Sequence, residues 1–427
     1  MMKVFKFGGA SINTIERIQN VKNILSSYKD EKLVVVISAM GKTTNALEKV
    51  TEAFYAGNKE EALQLFNVIK NNHLTTAKYL LVMHYNACRE QLNGFFTEAE
   101  WLLHDKPVRE YDYYYDQLVC VGELLSTAIV SHYLNEEGID NKWMDVRDIL
   151  RTDDNFRDAN IDWEYTEKKV EQLYEQSTVN GQQSTVNILL TQGFIGSTDE
   201  NESTTLGREG SDYTAAVFAN LLNAESLAIW KDVEGVMSAD PKQFPNAQLI
   251  PELSFDEVIE MAYYGAQVIH PKTIKPLQNK GIPLHVKCFL DPSLKGTIIS
   301  NKQIKHLPPV VIIKENQALV HLHSQDFSFV EEKPMSELYK MLGKLNIKPN
   351  LVQTGAISLQ LCLDDRADKI DQLAAAASVI FDVQVEKELS LLTIRHYNSE
   401  LLTNMMTGKL IILKQQTPET VQVLYRS

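Results

Sequence analysis

Five consecutive apolar residues, Leu33-Val34-Val35-Val36-Ile37, constrain this chain more than any other stretch. All but Leu33 are β-branched, so the run reads as a strand. No polar residue interrupts it, so both of its faces must be buried. A parallel sheet covered by helices on both sides provides such a place. Lys3–Phe7, Trp143–Val146, Val186–Leu190, Leu227–Trp230 and Pro283–Lys287 are further strand candidates. Helical stretches separate them. Residues 13–29 carry Ile15, Ile18, Val21, Ile24 and Leu25 on one stripe. Residues 46–106 are mainly helical, 117–134 form a long apolar helix, and 164–175 form another. Ser254-Phe255-Asp256-Glu257 fits a capping box opening a helix to about Tyr264. Alternating strands and helices imply an α/β fold with a mostly parallel sheet covered by helices on both faces.

The texture changes across Asp291-Pro292 to Pro308-Pro309, a polar linker punctuated by Gly and Pro. Beyond it the pattern predicts strands at 318–323, 350–354, 356–363, 383–388, 391–396, 409–415 and 421–425. Helices are expected at 334–346 and 365–378, with a short stretch at 399–407. The expected organisation is a larger domain over residues 1–300 and a small α+β region over 304–427. His321 and His323 share one strand face, but two lone histidines do not make a metal site, and no metal ligands are assigned.

Composition narrows the function. The 427 residues suit two or three domains, and 44% hydrophobic with 23% charged residues is the balance of a soluble globular protein. A net charge of −14 argues against a nucleic-acid partner. It does not exclude a small anion held by a local cationic cluster. No apolar run approaches the ~18 residues of a membrane span. The chain opens directly on a strand, with no signal peptide, so a cytoplasmic protein is expected. Cys88, Cys120, Cys288 and Cys362 lie far apart, in no metal or redox spacing, and read as buried thiols.

The densest chemistry lies in Thr204-Thr205-Leu206-Gly207-Arg208-Glu209-Gly210-Ser211-Asp212. It follows one strand candidate and precedes the apolar helix starting near Ala215, with Ser211 or Asp212 as a natural N-cap. Two glycines allow a sharp turn and close approach of a ligand. A helix N-terminus suits an anion, and Arg208 adds a fork for a carboxylate or phosphate. Lys6-Phe7-Gly8-Gly9 follows the first strand and reads as a second phosphate cradle, although no P-loop is present. Ser38 and Thr44 follow the end of the buried strand, where ligands of open α/β sheets gather. Glu123 sits among Val119, Val121, Leu124 and Leu125, a costly place unless it is paired. The tyrosines at 111, 113, 114 and 115 read as packing. His270, before Pro271, reads as structural.

Lys6-Phe7-Gly8-Gly9 with Gly207-Arg208-Glu209-Gly210-Ser211-Asp212 resembles the aspartate kinases of the amino-acid kinase family. Ser38 with Thr44-Asn45, Val121-Gly122-Glu123, Thr191-Gln192-Gly193-Phe194 and Lys231-Asp232-Val233-Glu234-Gly235 fit it in order and spacing. The region beyond residue 304 resembles the paired ACT modules of that family, with a short second module. The resemblance implies ATP-dependent phosphorylation of the β-carboxylate of L-aspartate, the first step towards lysine, threonine and methionine. It implies ATP and Mg2+, a homodimer through the ACT region, and a possible amino-acid effector. Lys6 and Asp212 would be catalytic. Ser38, Thr44, Glu123, Arg208 and Ser211 would hold aspartate. Lys6, Gly8, Gly9, Lys231, Asp232, Met237, Lys242 and Gln267 would hold ATP.

Five positions depart from the family pattern. Ala10 replaces a usual Thr, Glu209 a Gly, Lys231 a Thr, Met237 an aromatic residue and Gln267 a Lys. Lys231 and Gln267 read as one exchange, a cation moved from 267 to 231. The alternatives are an ACT-containing sensing subunit that no longer phosphorylates, and a kinase of another amino acid. In the ACT-like region Gln353-Thr354-Gly355-Ala356 lacks an expected Ser-Glu pair, so weak or absent inhibition by lysine is expected.

Overall fold

The computed structural model describes residues 2–176, 186–266, 268–325, 329–330 and 332–426. The chain forms two units. One comprises Met1–Val236, Leu249–Ile259 and Val268–Ile304; the other comprises Met237–Gln248, Glu260–Gln267 and Lys305–Ser427.

The first unit is built on an eight-stranded sheet. Its strands are β1 (Met2–Phe7), β2 (Lys32–Ile37), β3 (Asn141–Met144), β4 (Ile188–Gln192), β7 (Ser226–Lys231), β8 (Glu252–Ser254), β9 (Leu284–Cys288) and β10 (Thr297–Ser300). A two-stranded ribbon, β5 (Ile195–Ser197) with β6 (Ser203–Thr205), stands beside it. The sheet order is β3-β4-β2-β1-β7-β9-β10-β8. Every pairing is parallel except β9 with β10. All five residues Leu33 to Ile37 are buried, as the uninterrupted apolar run requires.

The register positions the site. Phe7 pairs with both Ile37 and Trp230, and Ile37 with Gln192. The carboxyl ends of β1, β2, β4 and β7 are therefore level. The segments that follow them, at Gly8, Ser38, Gly193 and Asp232, leave the sheet side by side.

Helices α1 (Ile15–Ser26), α2 (Thr43–Tyr55), α3 (Lys59–Leu80), α4 (Tyr85–His104), α5 (Tyr111–Val119), α6 (Val121–Glu136), α7 (Trp163–Gln176), α8 (Gly210–Leu221), α9 (Phe255–Tyr263) and α10 (Pro271–Lys280) complete the alternation. Ile18, Val21, Ile24 and Leu25 of the α1 stripe are buried. The helix expected over 117–134 is the end of α5 and most of α6. Together Tyr111–Glu136 is long and apolar enough by composition to cross a bilayer, but 89% of its apolar window is buried, as in a core helix. The expectation that no apolar stretch reaches that length is corrected accordingly. Strands β5, β6, β8 and β10 were not anticipated: three or four residues are too few to show a period, and β10 lies inside the presumed linker.

The second unit carries a six-stranded antiparallel sheet from β11 (Val310–Ser324), β12 (Leu351–Thr354), β13 (Ser358–Asp364), β14 (Phe381–Arg395), β15 (Leu410–Gln416) and β16 (Thr420–Arg426). Its order is β12-β13-β11-β14-β16-β15. Helices α11 (Glu332–Lys344) and α12 (Ala367–Ala377) bury Leu338, Leu342, Ile370 and Leu373 in one core. The short α13 (Ser399–Met406) packs Leu401, Leu402, Met405 and Met406 near Val421, Val423 and Tyr425. The two strands expected at 383–388 and 391–396 are one strand, β14. Its pairing with β11 shifts register between Lys314 and Leu319, where Asn316 and Glu388 adopt φ of 54° and 59°. The Nε2 atom of His321 lies 3.7 Å from Glu386. Among the described residues no group of three or more His, Cys, Asp or Glu is arranged to hold a metal ion.

Candidate active site

The level strand ends open onto one pocket of about 580 Å³, lined entirely from the first unit. Lys6, Gly8 and Gly9 enter it from the end of β1. A side chain at Gly9 would start 2.6 Å from the Ala39 carbonyl oxygen, so the second glycine is demanded by a backbone crossing. The Lys6 ammonium is buried and lies 2.6 Å from the Asp212 carboxylate, which rises from the first turn of α8. Burial pushes the Asp212 carboxyl upwards, but the charges of Lys6 and Lys231 and the bond from Lys6 outweigh it and hold it below its ordinary range. Helix α8 starts earlier than expected. Glu209 is its N-cap residue, at φ 55°, and Ser211 and Asp212 are not caps but members of its first turn.

Glu123 occupies the first turn of α6 and reaches the same pocket. One carboxylate oxygen accepts the Ala39 N–H at 3.3 Å; the other is buried with no partner among the described residues. Burial pushes this carboxyl up to about 8, against the pull of the Ala39 N–H, its own N–H and the Lys6 charge. Ser38 and the half-buried Thr44 line the pocket at the end of β2 and the start of α2.

The loop Leu206–Gly210 is fixed from α10. Lys272 lies 2.5 Å from Asp158 and donates to the Leu206 carbonyl at 3.1 Å. The Glu209 carboxylate accepts the His270 N–H at 3.0 Å. The acid at 209, which also lines the pocket, is thus anchored at the N-terminus of α10. His270 caps that helix, its Nδ1 accepting the Lys272 N–H at 3.2 Å. Arg208, between these anchors, is exposed on the pocket wall and pairs with no described residue. Ser211 is buried in the same wall.

The presumed nucleotide residues divide. Lys231 and Asp232 line the pocket, and the Lys231 ammonium donates to the Val268 carbonyl at 2.7 Å. Met237 and Lys242 belong to the second unit. Gln267 lies outside the described residues. Ala10 lines the pocket with its neighbours.

Among the lining residues, Tyr115 and Arg157 escaped sequence reasoning, whereas Phe194 stands in the Thr191–Phe194 string. Tyr115 was absorbed into an aromatic packing cluster, which it also serves through Tyr111. Arg157 lies between β3 and α7, in a stretch that none of the strings above includes. Asp116, in α5, lies between the tyrosine cluster and the apolar helix expected over 117–134 and was given no role. It is fully buried and accepts the Thr205 N–H at 2.8 Å, the Thr205 hydroxyl at 2.7 Å and the Arg157 N–H at 3.0 Å. Burial pushes its carboxyl up to about 6 despite those bonds.

A buried cation beside two glycines, together with the buried carboxylates of Asp212 and Glu123, suits an enzyme that transfers a phosphoryl group to an amino acid. Comparison agrees: a model of the amino acid kinase family matches residues 1–288, and the chain belongs to that family, among its aspartokinases. Aspartokinase 2, chloroplastic, from Arabidopsis thaliana is 32% identical over 96% of this chain and 76% of its own length. Lysine-sensitive aspartokinase 3 of Escherichia coli (strain K12) is 32% identical over 92% of this chain and 86% of its own. The solved structure of E. coli aspartokinase III in complex with aspartate and ADP (R-state) superposes with a TM-score of 0.81 at 28% identity, covering 100% of this chain and 96% of that one. The same enzyme in complex with lysine and aspartate (T-state) gives 0.80 at 28% identity, covering 99% and 95%.

Proposed function

We infer that this chain is an aspartate kinase, transferring the γ-phosphoryl group of ATP to the β-carboxylate of L-aspartate to give 4-phospho-L-aspartate and ADP. The observation that carries the assignment of its residues is the meeting, in one pocket, of the Lys6–Asp212 ion pair with the buried Glu123 carboxylate, one oxygen of which has no partner among the described residues. An acceptor carboxylate is already ionised at neutral pH. The reaction needs no general base. It needs two anions brought together and the spread charge stabilised.

Lys6 supplies a fixed positive charge beside Gly8 and Gly9, where the transferring group would lie. Asp212 holds that ammonium in place through the ion pair. Glu123 receives the α-ammonium of aspartate. Arg208, with no partner among the described residues, takes a substrate carboxylate by its fork. Ser38, Thr44 and Ser211 orient the acceptor by hydrogen bonds. Lys231 and Asp232 face the nucleotide. Mg2+ would come bound to the ATP phosphates. Asp232, exposed on the pocket wall, is the carboxylate able to share it, and the ion would neutralise phosphate charge. The six-stranded second unit is read as an ACT-type region that serves mainly to join two copies into a homodimer, with weak control by an amino-acid effector.

ADP release coupled to an indicator reaction tests the assignment, with aspartate, glutamate or no acceptor. Hydroxylamine should trap the acyl phosphate only with aspartate. Equal ADP release without an acceptor, or preference for glutamate, would overturn it.

A further inference from the structure

The pocket holds a second guanidinium that the roles above leave unused. Arg157 adopts φ of 69°, a backbone region that side-chain-bearing residues seldom occupy. Its N–H is held there by the buried Asp116, and its carbonyl oxygen lies 3.2 Å from where a Cβ on Gly207 would stand. Arg157 therefore adjoins the loop that presents Arg208. Its guanidinium stacks 4.2 Å above the Tyr115 ring and walls the same pocket as Glu123 and Arg208.

Ordinary stabilisation does not explain this placement. The ion pairs of Arg157 with Asp112 and Glu48 are 3.3 and 3.4 Å long, with the three side chains 41%, 55% and 36% exposed. Charge-assisted bonds of full strength are shorter, and exposed pairs contribute little. Left-handed residues that carry side chains concentrate where function needs a group in one place. The Tyr115 face preorganises the guanidinium, and its two weak acidic partners are easily exchanged for a better anion.

We propose that Arg157 is a specificity-determining residue for the acceptor: on substrate entry its guanidinium leaves Glu48 and Asp112 and takes the non-reacting carboxylate of the amino diacid, beside Arg208. This inference rests on the assignment of the pocket to an amino-acid acceptor. It adds a residue outside the motifs that define the site.

Arg157→Gly gives a clean test, because glycine suits φ of 69° and the fold loses only the side chain. Calorimetric binding of aspartate and steady-state kinetics are compared for the wild-type chain, Arg157→Gly and Arg157→Lys. The expected result is an aspartate Kd and KM raised at least tenfold in Arg157→Gly and partly recovered in Arg157→Lys. The KM for ATP should stay within twofold, kcat within threefold, and Tm should be unchanged or higher. Glu48→Gln should lower the aspartate KM in the wild-type background and do nothing in Arg157→Gly. If wild-type binds aspartate and Arg157→Gly binds it within twofold, the inference falls and the function stands. A variant with lower Tm and both KM values raised together would also overturn it, showing a structural role. Absence of aspartate binding by the wild-type chain would overturn both.

Discussion

Lys6 and Asp212 meet at 2.6 Å with both side chains almost wholly withdrawn from water. The pair joins the end of β1 to the first turn of α8, so a charge on one element depends on the other. Breaking such a pair strands a buried charge, which costs about 3–5 kcal/mol. Lys6→Ala should therefore lower Tm as well as turnover. Adding Asp212→Asn should restore Tm without restoring turnover. Loss of one preorganised charge from a transfer site lowers kcat about 10²–10³-fold. Lys6→Ala should show that fall with smaller changes in either KM, and activity within a few-fold of wild type would make Lys6 a strand residue only.

Glu123 sets a proton count for substrate binding. Its carboxyl titrates near 8 in the folded chain because of burial, against about 4.3 when unfolded. The native state thus holds a proton that the unfolded chain has lost between those values. Stability from this group is present below about 4.3 and declines as the pH rises through about 8. Arrival of an ammonium favours the ionised form. Binding of aspartate at pH 7 should release a proton, detected as a dependence of the calorimetric heat on buffer ionisation enthalpy. The release should shrink as the pH passes 8 and vanish in Glu123→Gln. That variant should also lose most aspartate affinity.

Much of this site was legible because its chemistry sits on short strings beside strong strands. Leu33–Ile37 announced a doubly buried strand, and Lys6, Gly8, Gly9, Ser38, Glu123, Arg208 and Asp212 converge as that topology demands. Arg157 and Asp116 were not legible. One is placed by a left-handed backbone, the other by bonds to residues 41 and 89 positions away in the chain, and neither leaves a periodic trace. Ser211 and Asp212 were misread as caps because Glu209 starts α8 through backbone conformation, with no side-chain cap of its own. In the second unit, alternation gave most strands but split β14 at Glu388, since a bulge shifts the pattern without ending the strand.

Arg208 should be separable from the nucleotide side. It is exposed, has no described partner, and stands between two anchored neighbours, so its removal should leave the loop in place. Arg208→Lys keeps the charge and loses the fork. The aspartate KM should rise about tenfold or more, equivalent to ~1.4 kcal/mol, with the ATP KM nearly unchanged. An unaltered aspartate KM would remove Arg208 from the acceptor site.

Control by lysine should be weak. An effector shifts an equilibrium only by its differential affinity for two states, so each missing polar contact reduces its reach. In the second unit α13 has eight residues and buries none of them. Its N-terminus is already served by Asn398, whose side chain accepts the Leu401 N–H at 2.7 Å. The end of β12 is occupied as well. Gln415 donates to the Val352 carbonyl at 2.7 Å and to the Gln353 side chain at 2.9 Å, and the Gly355 N–H goes to Ser358 at 2.8 Å. A free amino acid would have to displace these bonds to gain equivalent ones, leaving little net affinity to spend on a change of state. Titration of lysine and threonine, singly and together, against the aspartate-dependent release of ADP should show less than half-inhibition by lysine at low millimolar concentration. Gln415→Ala, which frees the β12 end, should leave basal turnover intact and increase sensitivity to the effector, if the occupied contacts are what hold it down. Half-inhibition of the wild-type chain by sub-millimolar lysine would show that the second unit retains an effector site these side chains do not block.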